Sequence, residues 1–249
     1  MIIAVPSKGR LKEQTEAFFA RAGLPLTVSG GSRAYTGTMT GLEGVEVLFL
    51  PAQEIAGRLA DGSIDLGVTG LDLLDEQNSL ICGQVYVLQG MNFGKADVVV
   101  AVPQAWIDVW TMDDLDDVAT LFRQSHGHRM RVATKYYTLT RRFFTEHGIG
   151  DYRIVESPGA TEAAPTVGAA EIIVDITSTG ETLQANRLKI LENGVMLRSE
   201  AVLAACLNKT GWDDGRMGKL EHILKLINSD TPTGTPFSGF QDALAKKPQ

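Results

Sequence analysis

The chain has 249 residues, of which 44% are hydrophobic and 21% charged, a composition typical of globular proteins rather than disordered ones. Its formal net charge of -7 argues against nucleic acid as the main partner, because proteins that bind phosphate backbones usually carry a basic face. No apolar run reaches the roughly 20 residues of a membrane-spanning helix, and no signal-peptide pattern opens the chain. We therefore expect a cytoplasmic protein that binds no nucleic acid and no membrane.

Redox and metal chemistry have little support in the residue types. Cys82 and Cys206 form no CxxC or metal-ligand spacing, so we expect both to be reduced. The chain also contains no Walker A loop and no GxGxxG, HExxH or GxSxG motif. Nucleophilic hydrolysis and dinucleotide-dependent redox reactions therefore have no motif in this sequence.

The first half of the chain alternates short apolar runs with segments of helical periodicity. Leu11, Thr15, Phe18 and Ala22 share one face of a predicted helix, and Gly23 ends it. We predict helices at residues 11–22, 52–60 and 71–76, and strands at residues 2–5, 45–50, 65–68, 80–88 and 96–102.

The same alternation continues in the second half. Asn193-Gly194 has the sequence of a hairpin turn, so residues 188–199 are predicted to form two strands. Residues 231–249 contain several prolines and glycines and are predicted to be a poorly ordered tail. We predict helices at residues 112–124, 138–147 and 213–228, a short helical segment at 161–167, and strands at 130–133, 152–156 and 172–176.

Short buried strands separated by helices favour an α/β fold with a parallel sheet covered on both faces. Ligands of such sheets bind beyond the carboxyl ends of the strands. The loops that follow predicted strands are therefore the candidate binding loops: residues 6–10, 69–72, 134–137, 157–165 and 177–182.

The most informative loop follows the apolar strand at residues 172–176. It offers hydroxyls and backbone N–H groups at the start of a predicted helix, where phosphate is favoured. Asp175, at the end of the strand, can accept hydrogen bonds from ribose hydroxyls. The structural alternative is that a loop hydroxyl merely caps the helix. The loop residues concerned are Ser178, Thr179, Gly180, Glu181 and Thr182.

Cations lie in other candidate loops. Lys8 and Arg10 flank Gly9 directly after the first strand, and Lys135 has the same placement after a later strand. Lysine offers phosphate a point charge and arginine a planar fork. Arg33 lies in a polar loop. The first loop is explained equally well as a phosphate site and as a solvated loop.

Glu162 is a second candidate carboxylate. It follows Thr161, which can cap a helix whose first turn favours a negative charge. The local sequence favours that structural role. The functional alternative is that Glu162 faces a sugar or a metal ion.

Taken together, these segments resemble the ATP phosphoribosyltransferase family, the first enzyme of histidine biosynthesis. The resemblance extends over residues 2–207, nearly the whole predicted core. It rests on Pro-Ser-Lys-Gly-Arg at 6–10, the segments 65–72, 92–94 and 131–136, and the signature residues Glu162, Gly168, Asp175, Thr179, Gly180, Thr182 and Leu183.

The resemblance implies a fold of two α/β lobes like that of periplasmic binding proteins, with a central cleft. One lobe would comprise residues 1–89 and 180–230, and the second residues 90–179 with the phosphoribosyl pyrophosphate loop. Too little chain follows the core for a C-terminal regulatory domain, so the chain resembles the short form of the family. Short forms work with a regulatory subunit that resembles histidyl-tRNA synthetase, and a homodimer of catalytic subunits is also implied.

The implied reaction is that of a pentosyl glycosyltransferase. Adenine N1 of ATP attacks the anomeric carbon of phosphoribosyl pyrophosphate, and pyrophosphate leaves with Mg²⁺ on its oxygens. By resemblance, Asp175 and Glu162 are catalytic, and Asp175 and the Ser178–Thr182 loop bind phosphoribosyl pyrophosphate. The candidates for the ATP triphosphate and the pyrophosphate are Lys8, Gly9, Arg10, Arg33 and Lys135.

Two alternatives remain at this point. A cytoplasmic two-lobed ligand-binding or sensing module would share the fold, but would not explain a Ser-Thr-Gly-Glu-Thr loop together with Lys8-Gly9-Arg10. A phosphoribosyltransferase acting on a free base commonly has two adjacent acids before its loop, whereas here Val174 precedes the single Asp175.

Overall fold

A computed structural model describes residues 1–29, 35–77, 80, 82–157, 159–207, 211–228 and 236–246. The chain divides into two compact units, which we call unit 1 and unit 2. Unit 1 comprises Met1–Gly94 and Glu200–Gln249, and unit 2 comprises Lys95–Ser199. Each unit holds one β-sheet with helices packed on it, so the predicted α/β class is confirmed.

Unit 1 is built on a seven-stranded sheet with the strand order β2-β3-β4-β1-β5-β12-β6. Its strands are β1 (Ile2–Pro6), β2 (Leu26–Val28), β3 (Thr36–Met39), β4 (Glu46–Leu50), β5 (Leu66–Gly70), β6 (Val85–Gly90) and β12 (Ala201–Cys206). Its helices are α1 (Gly9–Arg21), α2 (Ala52–Asp61), α3 (Leu71–Glu76), α7 (Asp214–Ile227) and α8 (Pro236–Lys246).

Unit 2 is built on a five-stranded sheet with the strand order β11-β7-β10-β8-β9. Its strands are β7 (Ala96–Pro103), β8 (Met130–Thr134), β9 (Tyr152–Glu156), β10 (Ile172–Thr177) and β11 (Leu188–Ser199). Its helices are α4 (Met112–His126), α5 (Tyr137–Glu146) and the short α6 (Glu181–Ala185), with a 3₁₀ turn at Thr161–Ala163.

The expectation of a purely parallel sheet is wrong for both units. β1 runs parallel to β4 and β5, and β8 runs parallel to β9 and β10, in each case with helices in the connections. β12 is antiparallel to β5 and β6, and β7 is antiparallel to β10 and β11. Parallel pairing requires a crossover connection, and the apolar runs alone do not record the direction of each strand.

The predicted hairpin within residues 188–199 is also wrong. β11 is one strand that pairs with β7 along its length, with register shifts between Ile190 and Val195. The Asn193 side chain is used elsewhere, because its Oδ1 accepts a hydrogen bond of 2.8 Å from the backbone N–H of Met112 at the start of α4. The Asn-Gly pair therefore belongs to an irregularity within a strand, not to a hairpin turn.

Two predicted boundaries differ from the structure. Residues 180–199 lie in unit 2, because β11 hydrogen-bonds to β7 and α6 lies between β10 and β11 in the chain. Residues 236–246 of the predicted tail form α8, whose Phe240 is fully buried against Tyr86 and Trp212. Two aromatic contacts therefore order a segment that composition alone describes as irregular.

None of the helices in the described part of the chain combines the length and the apolarity that crossing a bilayer requires.

Candidate active site

A pocket of about 340 Å³ lies at the carboxyl end of β10 in unit 2. It brings together two predicted carboxylates, Asp175 from β10 and Glu162 from the 3₁₀ turn, with hydroxyl groups of the loop after β10. Its lining residues are Glu162, Asp175, Ile176, Thr177, Ser178, Thr179, Thr182 and Leu183. Two acids therefore face one space that also offers several hydroxyl donors.

Asp175 is partly buried in this pocket. Burial raises the pKa of its carboxyl above the ordinary value, and the nearby charge of Glu162 raises it further. The backbone N–H of Ile176, which donates to Asp175 Oδ1 at 2.8 Å, and the charge of Lys135 oppose that rise without cancelling it. Burial removes water that would stabilise the carboxylate. A hydrogen bond from a sugar hydroxyl or the positive charge of a cation-like carbon would replace that stabilisation.

Hydrogen bonds within the loop after β10 fix its conformation. Thr177 Oγ1 accepts a hydrogen bond of 2.9 Å from the backbone N–H of Gly180, which adopts a left-handed conformation with φ +76°. The backbone N–H groups of Ser178 and Thr179 donate no hydrogen bond to any other described residue. These two N–H groups are thus free to donate to an anion such as phosphate.

The helix after this loop is shorter than the sequence suggests. α6 begins at Glu181 and has five residues, so its dipole contributes less to anion binding than a long helix would. Among the predicted loop residues, Gly180 lines a neighbouring pocket of about 280 Å³ and Glu181 is exposed. The hydroxyls and the free N–H groups, rather than the helix end, are the main polar groups of the site.

The structure does not support the capping role that the local sequence favours for Thr161. Thr161 makes no side-chain cap, and its buried hydroxyl donates instead to the backbone carbonyl of Ser157 at 3.4 Å. The 3₁₀ turn leaves Glu162 on the pocket wall. Of the two readings of Glu162, the geometry therefore agrees with the one in which it faces the ligand space.

Lys135 lies at the same edge of the unit 2 sheet. It follows β8, which pairs in parallel with β10 through Ile172–Val132 and Ile173–Ala133. Lys135 is exposed, its Nζ lies 5.0 Å from the ring centroid of Tyr136, and its charge lowers the pKa of Asp175. The ammonium group of Lys135 is thus available near the carboxylate of Asp175.

The other predicted cations lie in unit 1. Lys8 precedes α1 and Arg10 is in its first turn; both are exposed and form no ion pair with the described residues. Gly9 between them has φ +70°, a conformation that favours glycine. The first turn of α1 carries no acidic residue, so this loop is a second location of unpaired positive charge. Arg33 lies outside the described residues.

Three lining residues of the pocket were not among the predicted site residues: Ile176, Thr177 and Leu183. Thr177 lies within the candidate loop at residues 177–182 but was not singled out, and only the structure shows that its hydroxyl accepts from the Gly180 N–H. Ile176 and Leu183 supply apolar wall, which the binding-site motif does not distinguish from ordinary core.

Comparisons with known proteins agree with the resemblance. The ATP phosphoribosyltransferase family model matches residues 51–229. The ATP phosphoribosyltransferase of Rhodopseudomonas palustris (strain BisA53) is 58% identical over 249 residues, which cover 98% of this chain and 76% of that protein. The chain belongs to the ATP phosphoribosyltransferase family. Its membership favours the enzyme over the alternative of a ligand-binding module.

Two solved structures are similar to this chain in fold. The ATP phosphoribosyl transferase (HisG:HisZ) complex from Thermotoga maritima matches with a TM-score of 0.69 at 23% identity, covering 93% of this chain and 99% of that chain. The Gly52Ala mutant of arginine-bound ArgBP from Thermotoga maritima matches with a TM-score of 0.50 at 14% identity, covering 92% and 94%. At these identities the likeness concerns the fold alone, and it supports the predicted resemblance to periplasmic binding proteins.

Proposed function

We propose that this member of the ATP phosphoribosyltransferase family transfers the 5-phosphoribosyl group of phosphoribosyl pyrophosphate to N1 of the adenine of ATP. The observation that carries the proposal is the pocket at the carboxyl end of β10, in which Asp175 and Glu162 stand beside the free N–H groups and hydroxyls of the loop after β10. A family signature and a physically suitable site coincide there. The product would enter histidine biosynthesis, and we place the reaction in the cytoplasm, where ATP is available.

The pocket suits phosphoribosyl pyrophosphate in two respects. The N–H groups of Ser178 and Thr179, together with the hydroxyls of Ser178 and Thr182, can donate to the oxygens of the 5-phosphate. Asp175 can accept hydrogen bonds from the two ribose hydroxyls, which replace the water that burial removes. The phosphate and the sugar are thus recognised by adjacent residues of one loop.

The chemistry needs little acid–base assistance. Adenine N1 has a free lone pair near neutral pH, so it can attack the anomeric carbon while the bond from that carbon to the pyrophosphate oxygen breaks. The sugar becomes cation-like during this exchange, and the carboxylates of Glu162 and Asp175 stabilise its positive charge. Catalysis is then a matter of positioning and electrostatics.

The leaving pyrophosphate requires positive charge. Lys135 in unit 2 is one candidate, because its charge acts on Asp175, and Lys8 and Arg10 supply further unpaired cations in unit 1. Mg²⁺ would arrive with the substrate, bound to pyrophosphate and ribose oxygens while keeping several waters. The two carboxylates of the pocket, Asp175 and Glu162, are oxygen ligands of the kind that Mg²⁺ accepts, so they could help to hold the ion.

We further propose that the chain acts with a regulatory subunit resembling histidyl-tRNA synthetase, and that catalytic subunits pair as a homodimer. This proposal is motivated by the fold match to the HisG:HisZ complex from Thermotoga maritima. Histidine would then be sensed by the partner.

The test is to incubate the purified chain with ATP and phosphoribosyl pyrophosphate, with and without a histidyl-tRNA-synthetase-like subunit, and to follow the absorbance of the N1-substituted adenine. We expect product with ATP and none with free adenine. Product from a free base, or ligand binding without turnover in the presence of the partner, would contradict the proposal.

A further inference from the structure

In the five-stranded sheet of unit 2, the neighbouring strands β8 and β10 are joined by only a short run of paired residues. β10 pairs with β7 from Ile173 to Thr177, and β8 pairs with β9 over the whole of both strands. Between these two halves, β10 and β8 pair only at Ile172–Val132 and Ile173–Ala133. We call this short ladder the β8–β10 seam.

The seam divides the candidate site. Asp175 and the phosphate loop belong to the β7–β10 half. Lys135 follows β8, and Glu162 lies in the segment after β9, whose Ser157 N–H donates to the carbonyl of Thr134 at 3.1 Å. A slip along the seam would therefore move Lys135 relative to Asp175, whereas the turn that carries Glu162 packs against β10.

A side-chain clamp closes the seam at the end opposite to the pocket. Glu171 Oε2 accepts from the backbone N–H of Arg131 at 2.6 Å, and Glu171 Oε1 accepts from Arg131 Nη2 at 2.6 Å. Arg131 Nε lies 3.2 Å from both carboxylate oxygens, and the Glu171 N–H donates to the Arg131 carbonyl at 3.1 Å. One residue pair thus joins both strands through main chain and side chain at once.

The Arg131–Glu171 pair fixes the alignment of its two groups as well as attracting them. A planar guanidinium that meets a carboxylate in a fork accepts only one alignment of the two groups. Residue 171 is thereby held level with residue 131, as 172 is with 132 and 173 with 133. Carried along the strands, the same offset places Asp175 level with Lys135.

We infer that the Arg131–Glu171 pair is a positioning clamp for phosphoribosyl pyrophosphate: it sets the register of the β8–β10 seam and so the placement of Lys135 beside Asp175. The clamp touches no substrate, since it lies four residues, about 13 Å, from Asp175 along the strand. This inference rests on the proposed function of the pocket. The charges agree with it: burial opposes ionisation of Glu171, yet its hydrogen bonds with Arg131 hold its pKa below the ordinary value.

The test compares Arg131→Lys, which keeps the charge but not the fork, with Glu171→Gln, which keeps the shape but not the charge. Arg216→Lys in unit 1 is the matched control. There Asp65 likewise accepts from a backbone N–H, that of Ile2 at 2.7 Å, and from a guanidinium, that of Arg216 at 2.9 Å. The control therefore removes the same kind of pair from the other sheet.

Calorimetric binding of phosphoribosyl pyrophosphate and steady-state kinetics are measured at a temperature where all variants are folded. We expect both seam variants to bind phosphoribosyl pyrophosphate roughly ten- to a hundredfold more weakly and to raise its KM, because small misplacements have large effects. The Arg216→Lys variant should lose thermal stability with its affinity unchanged. Lower Tm with unchanged affinity in both seam variants would overturn the positioning role.

If the single variants fail to fold, the double variant Arg131→Met, Glu171→Leu replaces the ion pair by apolar side chains, an exchange that often preserves stability. We expect it to recover the Tm but not the affinity, because apolar contacts do not specify the register. Recovery of both would overturn the inference. Failure of the wild-type chain to bind phosphoribosyl pyrophosphate would instead overturn the proposed function, which separates the two results.

Discussion

Lys135, the first residue after β8, lies beside Asp175 of the neighbouring parallel strand β10. The pairing of Ile173 with Ala133 fixes this relationship, and the ammonium charge lowers the pKa of the Asp175 carboxyl while burial and Glu162 raise it. Burial and the charges of Lys135 and Glu162, which come from two other segments, thus together shift the pKa of Asp175. The balance among them can be measured.

The first prediction concerns pH. We expect binding of phosphoribosyl pyrophosphate to need ionised Asp175 and to fall as the pH drops through its raised pKa. Lys135→Met should move this midpoint to higher pH, and Glu162→Gln should move it to lower pH, since they remove a stabilising and a repelling charge. The measurement is affinity against pH, with Lys225→Met on the exposed face of α7 as the control that leaves the midpoint unchanged.

The stability of the fold should respond in the opposite direction. An acid whose folded pKa is raised binds more protons in the folded than in the unfolded state between the two pKa values. The contribution of Asp175 to the free energy of unfolding therefore increases as the pH falls through the raised value towards the ordinary 3.8. Asp175→Asn should remove this contribution, and an unchanged pH dependence of unfolding in that variant would contradict the assignment.

The second prediction concerns the sugar contact. Asp175→Asn should leave the fold intact, because among the described residues its side chain hydrogen-bonds only to the adjacent backbone N–H of Ile176. Losing charged hydrogen bonds to two ribose hydroxyls costs about 1.5–3 kcal/mol, or roughly ten- to a hundredfold in kcat/KM. The exposed Asp117→Asn in α4 is the control, and unchanged kinetics in Asp175→Asn would remove its role.

The third prediction concerns the loop backbone. Gly180 has φ +76° and open space where a Cβ would stand, so Gly180→Ala costs left-handed strain of about 1 kcal/mol without a clash. We expect a slightly lower Tm and a higher KM for phosphoribosyl pyrophosphate. Gly218→Ala, at an open site inside α7, should raise the Tm instead. Equal effects of the two variants would contradict this account.

The fourth prediction concerns the cations of unit 1. Lys8→Gln and Arg10→Gln should leave the Tm unchanged, because both side chains are exposed and pair with no described residue. If they bind the ATP triphosphate or pyrophosphate, each variant should raise the KM for ATP and make it less dependent on salt. Lys12→Gln, which removes a pair with Glu16 and a contact of Lys12 Nζ with the Phe49 ring, is the control. An unchanged KM in both variants would exclude this loop from the site.

The fifth prediction concerns regulation. If a histidyl-tRNA-synthetase-like subunit senses histidine, the purified chain alone should show weak or no inhibition by histidine, and inhibition should appear when the subunit is added. Initial rates over a histidine titration provide the measurement. Strong inhibition of the isolated chain would show that the catalytic polypeptide itself senses histidine.

Local patterns predicted the elements with strong periodicity and clear ends. Thr111 caps α4, with its Oγ1 accepting from the Asp114 N–H, as the capping pattern predicts. The same reasoning missed β2, β3 and β12, because β2 and β3 have only three and four residues and β12 follows β11 after one intervening residue. The Asn193-Gly194 pair predicted a turn. In the structure the Asn193 side chain instead accepts a hydrogen bond from the backbone N–H of Met112 at the start of α4.

The sequence by itself determined the α/β class, the family and the chemistry of the loop after β10, because these depend on residue types at short spacings. The tertiary structure decided which of the candidate groups meet. It brought Glu162 to the pocket of Asp175, although thirteen residues separate them in the sequence, and it showed that the Thr177 hydroxyl holds the loop. It also joined Arg131 to Glu171 across the β8–β10 seam. Contacts between segments that are distant in the chain depend on which strands pair and in which direction, and residue types at short spacings do not fix that pairing.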